Sequence, residues 1–258
     1  MAPRGTGTFF LFAACAGTAL ALWLLRPCPA RSHQRNVAEP LVYYMHMHKA
    51  GGSTMCNMAR HNNMVANCNN NCNLQDPALL RSLTLVEQRH FALTTPYEFV
   101  ANEMELPDEL ETQHFRYFTT LRHPLSRYMS AWNHYGDGHG TSFHEWVVNR
   151  PDNYYVRHMC GPSVAALPNG AITEEHLFRA MARLTLFEGV MIVEHYAKTA
   201  DILRSKLGWE HTDTTMLRSG TRHNSAPTDD DGQGLEHLYR WDLKFYEFAV
   251  RNALQALN

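Results

Sequence analysis

Two stretches of the chain change period in the same way, from an apolar run through a turn into helical spacing. Leu41 to Met45 is short, aromatic and aliphatic, and reads as a buried strand; Gly51-Gly52-Ser53-Thr54 then opens a segment of helical character. Phe115 to Arg122 is a second β-rich run. Pro124 suits the first turn of a helix, and Leu125, Tyr128, Met129 and Trp132 recur behind it at helical spacing. Further along, Thr173 can cap a helix with Glu174 and Glu175 in its first turn, running to about Leu184. Phe187 to Val193 predicts a strand, and His195 to Leu207 a helix closed by Gly208. From Gly234 onward, Leu235, Leu238, Trp241, Phe245, Phe248 and Ala249 mark an amphipathic terminal helix that packs on the sheet. This alternation predicts an α/β fold: a P-loop-like, three-layer domain around a central, mainly parallel sheet, with ligands at the C-terminal ends of the strands.

The N-terminus follows a different pattern. Phe9 to Leu25 is an apolar run of about 17 residues, near the length that spans a bilayer. It divides the 258-residue chain into a tail (1–8), a transmembrane signal-anchor (9–25), a Pro-containing stem (26–40) and one domain (41–258). A cleavable signal peptide ending near Cys28-Pro29-Ala30 is the competing reading. Arg26, Arg31 and Arg35 outnumber Arg4, so a positive-inside count alone puts the domain on the cytosolic side. From Leu41 on, 19 Lys and Arg face 24 Asp and Glu. That acidic balance argues against a nucleic-acid partner and against a strongly polyanionic acceptor. Four cysteines, Cys56, Cys68, Cys72 and Cys160, suit one or two disulfides in an oxidising compartment, with pairing left open. Zinc binding by these thiols with His61 is the alternative, weakened by the lack of a second closely spaced ligand pair.

Candidate chemistry gathers where the two runs end. Gly51 and Gly52 let backbone N–H groups approach an anion at the positive end of a helix, Lys49 adds a charge, and Ser53 and Thr54 add hydroxyls. The lysine precedes the glycines, so this is not the nucleoside triphosphate loop Gly-x-x-x-x-Gly-Lys-Ser/Thr. The second run ends in Arg122 rather than in a magnesium-holding Asp, and Ser130 follows two helical turns later. Both ends predict an anion held without metal.

Lys49-Ala50-Gly51-Gly52-Ser53-Thr54, followed by Leu121-Arg122-His123-Pro124-Leu125-Ser126-Arg127-Tyr128-Met129-Ser130, resembles the paired cofactor signatures of Golgi carbohydrate sulfotransferases, closest to the heparan sulfate 2-O- and 6-O-sulfotransferases. The resemblance implies that Lys49 to Thr54 hold the 5′-phosphosulfate of 3′-phosphoadenosine 5′-phosphosulfate (PAPS), and that Arg122 and Ser130 hold its 3′-phosphate. It implies a carbohydrate acceptor, a type II Golgi membrane protein and a luminal catalytic domain. It also implies a histidine at a strand end between the motifs that deprotonates the acceptor, which selects His90; Glu87, His46 and His48 are rivals. Asn153 to Gly161 resembles the family segment that approaches the acceptor, and the loop with Arg222 resembles one that closes over the nucleotide. A nucleotide-dependent kinase and a non-catalytic protein that binds 3′-phosphoadenosine 5′-phosphate (PAP) are the alternatives. The anchor makes its own prediction: the full chain should resist carbonate extraction, and intact vesicles should shield the domain from protease. Digestion in intact vesicles would give the orientation that Arg26, Arg31 and Arg35 favour.

Overall fold

The computed structural model describes residues 35–68, 70–135, 140–213 and 232–256. The anchor segment and Arg222 lie outside the described residues, and among those described no helix is long and apolar enough to cross a membrane. Strand β1 (Leu41–Met45) leads to helix α1 (Gly52–His61) and, after a loop, to α2 (Leu85–Thr94) and β2 (Phe99–Asn102). Then come β3 (Phe115–Leu121), α3 (Pro124–Tyr135), α4 (Phe143–Val148) and α5 (Tyr154–Cys160). The last elements are α6 (Glu174–Leu184), β4 (Gly189–Ile192), α7 (Asp201–Leu207) and α8 (Glu236–Gln255).

The four strands form one all-parallel sheet in the order β2-β1-β3-β4. β1 is an inner strand and all five of its residues are buried. Side chains alternate across a strand, so Leu41, Tyr43 and Met45 enter one core with Tyr155, Phe245 and Ala249. Val42 and Tyr44 enter the other with Met55, Met58 and Leu203. Covering both faces explains why β1 reads as a continuous apolar run rather than an alternating one.

Several elements differ from the sequence pattern. The segment around His90, expected to end a strand, lies inside α2, where Thr84 and Glu87 form a reciprocal capping box. The strand that does end between the two motifs is β2, four residues long and too short to stand out in the sequence. The helix expected over His195 to Leu207 breaks near Ala200, because the buried Thr199 hydroxyl accepts the Ile192 N–H at 3.0 Å and donates to the His195 carbonyl at 3.2 Å. This ties the chain back to the end of β4.

A disulfide joins Cys56 on α1 to Cys72 in the Asn-rich loop, removing both thiols from any zinc site, while Cys160 is a free, buried thiol. Among the described residues no group of three or more His, Cys, Asp or Glu is arranged to hold a metal. Closing a loop of this length stabilises by about 3 kcal/mol in the chain-entropy account. Replacing both Cys56 and Cys72 by Ser should therefore lower stability by roughly 2–4 kcal/mol in urea unfolding. An unchanged midpoint would show that the cross-link adds nothing to the native state.

Candidate functional site

The parallel order sends the chain from β1 to one side to make β2, and the later β3 pairs on the other side. The crevice at such a switch point is where α/β sheets bind ligands. The turn after β1 and the residue after β3 both open onto it.

The turn is built tightly. His46 donates its backbone N–H to the Asn102 carbonyl, and the Ala50 N–H is spent on the Met47 carbonyl at 3.1 Å. Lys49 has φ 62° and Gly51 φ 93°, both left-handed. Such a conformation is uncommon for a lysine and is held only where its surroundings impose it. Gly52 is required for space, since a Cβ there would lie 1.6 Å from Nε2 of His46. Among the described residues, the N–H groups of Gly51, Gly52 and Ser53 donate to no backbone carbonyl. They sit at the start of α1, where the helix end favours negative charge. Ser53 donates its hydroxyl to Asn71 Oδ1, and Thr54 is buried.

Lys49 and Arg122 are close enough to repel. Partial burial first, and the Arg122 charge second, hold the Lys49 amine below the ordinary lysine value, with Glu103 opposing. Burial likewise lowers Arg122, opposed chiefly by Glu194. Among the described residues neither cation forms a salt bridge. Two half-buried cations at neighbouring strand ends, beside helix-end amides that donate to no backbone carbonyl among the described residues, form an arrangement that can attract an anion. Ser130 is buried two turns into α3, on the helix that Arg122 introduces.

Compared with known proteins, the chain matches no family model and no curated sequence.

The site also contains a residue that the sequence pattern did not single out. Glu103, immediately after β2, bridges two histidines: Oε1 lies 2.9 Å from His46 Nδ1 and Oε2 lies 3.1 Å from His48 Nε2. Burial alone raises a carboxyl, but here the hydrogen bonds and charges of His46 and His48 outweigh it and hold Glu103 well below the usual carboxylate range. His46 is buried and also meets Asn73 Oδ1 at 3.3 Å; His48 is partly exposed and its Nδ1 is 3.4 Å from the Tyr135 hydroxyl. His48 is thus oriented at Nε2 by a carboxylate, with Nδ1 toward the Tyr135 hydroxyl. The only sequence signal for Glu103 was its place between the two motifs.

His90 and Glu87 are not in this group. His90 is exposed in the middle of α2, and Glu87 is occupied by the Thr84 cap, whose hydrogen bonds lower its pKa. The segment after Asn153 divides its work. Tyr154 and His158 line a cavity of about 490 Å³ with His48, Tyr128, Tyr135 and Trp146. Burial lowers the His158 pKa, favouring a neutral ring. Arg157 also borders it, but its guanidinium is committed to Asp152 and to the carbonyls of Ala165, Leu167 and Pro168. Arg127 is packed 4.0 Å over the Tyr154 ring and 4.2 Å over that of Tyr128. His48 and Tyr135 join this aromatic cavity to the Lys49 turn, since Lys49 Nζ lies 5.9 Å from the Tyr135 ring centroid.

Glu103 gives the site a pH signature. A carboxyl lowered in the folded state contributes stability above the ordinary value of 4.5, and that contribution is lost as pH falls toward the folded pKa. In urea unfolding, Glu103→Gln should be less stable than wild type at neutral pH, and the gap should close below about pH 4.5. A gap constant from pH 7 to pH 3 would refute the clasp of His46 and His48 on Glu103.

Proposed function

We propose that the protein is a PAPS-dependent sulfotransferase that moves a sulfuryl group to a hydroxyl, with a carbohydrate as the acceptor. The observation that carries this reading is that Lys49 and Arg122 lie within electrostatic reach of each other, neither in a salt bridge among the described residues, next to the His48–Glu103 pair. The P-loop-like turn supports a 5′-phosphosulfate at the Gly51 and Gly52 amides. Arg122, where a triphosphatase needs an acid for magnesium, supports a 3′-phosphate.

Each residue then has a separate task. The helix-end amides hold the 5′-phosphate, and Lys49 stabilises the charge that grows on the bridging oxygen as the bond from sulfur to that oxygen breaks. His48 accepts the acceptor's proton at Nδ1 as the acceptor oxygen bonds to sulfur, and Glu103 keeps the imidazole oriented from Nε2. A carboxylate held as low as Glu103 is a weak base, which leaves the imidazole as the proton acceptor. This replaces the expectation for His90. The cavity beside His48 is the acceptor side, and the rings of Tyr135 and Trp146 suit the apolar face of a sugar ring. The Cys56–Cys72 disulfide supports a luminal, oxidising compartment, consistent with an anchored Golgi protein.

Calorimetry on the full chain tests the cofactor. PAP should bind about ten- to a hundredfold more tightly than adenosine 5′-phosphate, the worth of one charge-assisted phosphate contact, and Arg122→Ala should erase most of that preference. Binding of ATP with magnesium while PAP is ignored would make it a kinase; PAP binding without transfer to any glycan in a broad panel would make it a binding protein. With labelled PAPS, Lys49→Ala should lower turnover more than PAP affinity. His48→Ala should cost roughly two to four orders of magnitude in turnover and His90→Ala almost nothing. Should Glu103→Gln abolish transfer while His48→Ala spares it, the carboxylate is the base.

A further inference from the structure

The start of α5 carries two adjacent tyrosines whose hydroxyls point back to the two strand ends. The Tyr154 hydroxyl accepts the backbone N–H of His48 at 3.0 Å. The Tyr155 hydroxyl accepts the backbone N–H of Arg122 at 3.1 Å and donates to the Arg122 carbonyl at 2.6 Å. One phenol therefore satisfies both backbone polar groups of Arg122, just beyond the sheet ladder of β3. Tyr155 is fully buried against Phe245, ring centroids 6.2 Å apart, so its hydroxyl has little freedom to follow a displaced strand end.

The pair is anchored from the far end of the chain. Asp242, fully buried on α8, accepts the N–H groups of Tyr155 and Val156, each at 3.0 Å. Asn153, at φ 47°, donates its N–H to the Leu238 carbonyl at 2.7 Å and accepts the Trp241 N–H at 3.0 Å. These bonds fix where α5 begins and which way its first two side chains point. Tyr154 at the same time forms part of the wall of the aromatic cavity.

We propose that Tyr155 and Tyr154 are positioning residues for the cofactor: Tyr155 sets Arg122 for the 3′-phosphate and Tyr154 sets the His48–Lys49 turn for the 5′-phosphosulfate, both referenced to Asp242. The proposal rests on the sulfotransferase reading above. It explains why a helix of seven residues is held so firmly from α8, and it ties the acceptor wall to both phosphate contacts through one rigid element.

The two tyrosines act on different phosphates, so two nucleotides separate their roles from simple loss of folding. Calorimetry on the full chain compares PAP with adenosine 5′-phosphate, and thermal melts monitor the fold. Tyr155→Phe should weaken PAP about tenfold while leaving adenosine 5′-phosphate unchanged, shrinking the preference between them. Tyr154→Phe should weaken both nucleotides by the same factor and keep the preference. Asp242→Asn, which preserves size, should shift the preference in the same direction as Tyr155→Phe and serves where that variant folds poorly. A Tyr155→Phe protein that keeps the wild-type preference, or loses both affinities equally with a lower melting temperature, overturns the assignment. Wild-type protein with no preference for PAP overturns the cofactor reading and this inference with it.

Discussion

The placement of β1 between β2 and β3 is the constraint from which the site follows. Parallel pairing requires a crossover for each strand, and here the crossover to β2 and the pairing with β3 leave β1 on opposite sides. Three chain segments therefore emerge side by side at the C-terminal edge: the glycine turn after β1, Glu103 after β2 and Arg122 after β3. An antiparallel arrangement would alternate strand directions and scatter these groups to both ends of the sheet. The burial of all five β1 residues makes the register hard to slip, since a one-residue shift would exchange the contents of the two cores.

Electrostatics at this edge are organised by pairing on one side and by its absence on the other. Glu103 is compensated twice, by His46 and His48, and is ionised in consequence. Among the described residues Lys49 and Arg122 form no salt bridge, and each is lowered by burial. Bringing two such cations together has a cost of assembly that an anion would recover. The left-handed backbone at Lys49 is a further strain at the same place, of order 1–3 kcal/mol for a residue of this kind. Strain, desolvation and like-charge repulsion converge on one turn, and the phosphosulfate of the proposed function would offset the last two.

The rest of the molecule holds that edge still. The loop locked by the Cys56–Cys72 disulfide brings Asn71 to Ser53 and Asn73 to His46. The terminal helix α8 holds α5, and α5 reaches both strand ends through Tyr154 and Tyr155. Under the proposed function these supports would bear on the chemistry as much as the residues they hold, because catalytic geometry is sensitive to displacements of about an ångström.

The sequence by itself determined β1, β3, the helices that follow them, the glycine turn and the terminal helix, because each is a local change of period or a residue with a local steric meaning. Lys49, Gly51, Gly52 and Arg122 were legible for the same reason: each stands at a strand-to-helix junction. What only the tertiary structure decided is which distant residues meet there. β2 is four residues long, and its identity comes from hydrogen bonds to β1 rather than from its own composition, so Glu103 carried no pattern of its own. His90 and Glu87 fell at a plausible sequence distance, yet the Thr84 capping box folds them into the helix before β2 and turns His90 to solvent. Tyr155 read as one more aromatic residue. Its contact with Arg122 spans 33 positions and its anchor at Asp242 spans 87, and pairings of that range exist only once the sheet has brought the strand ends together.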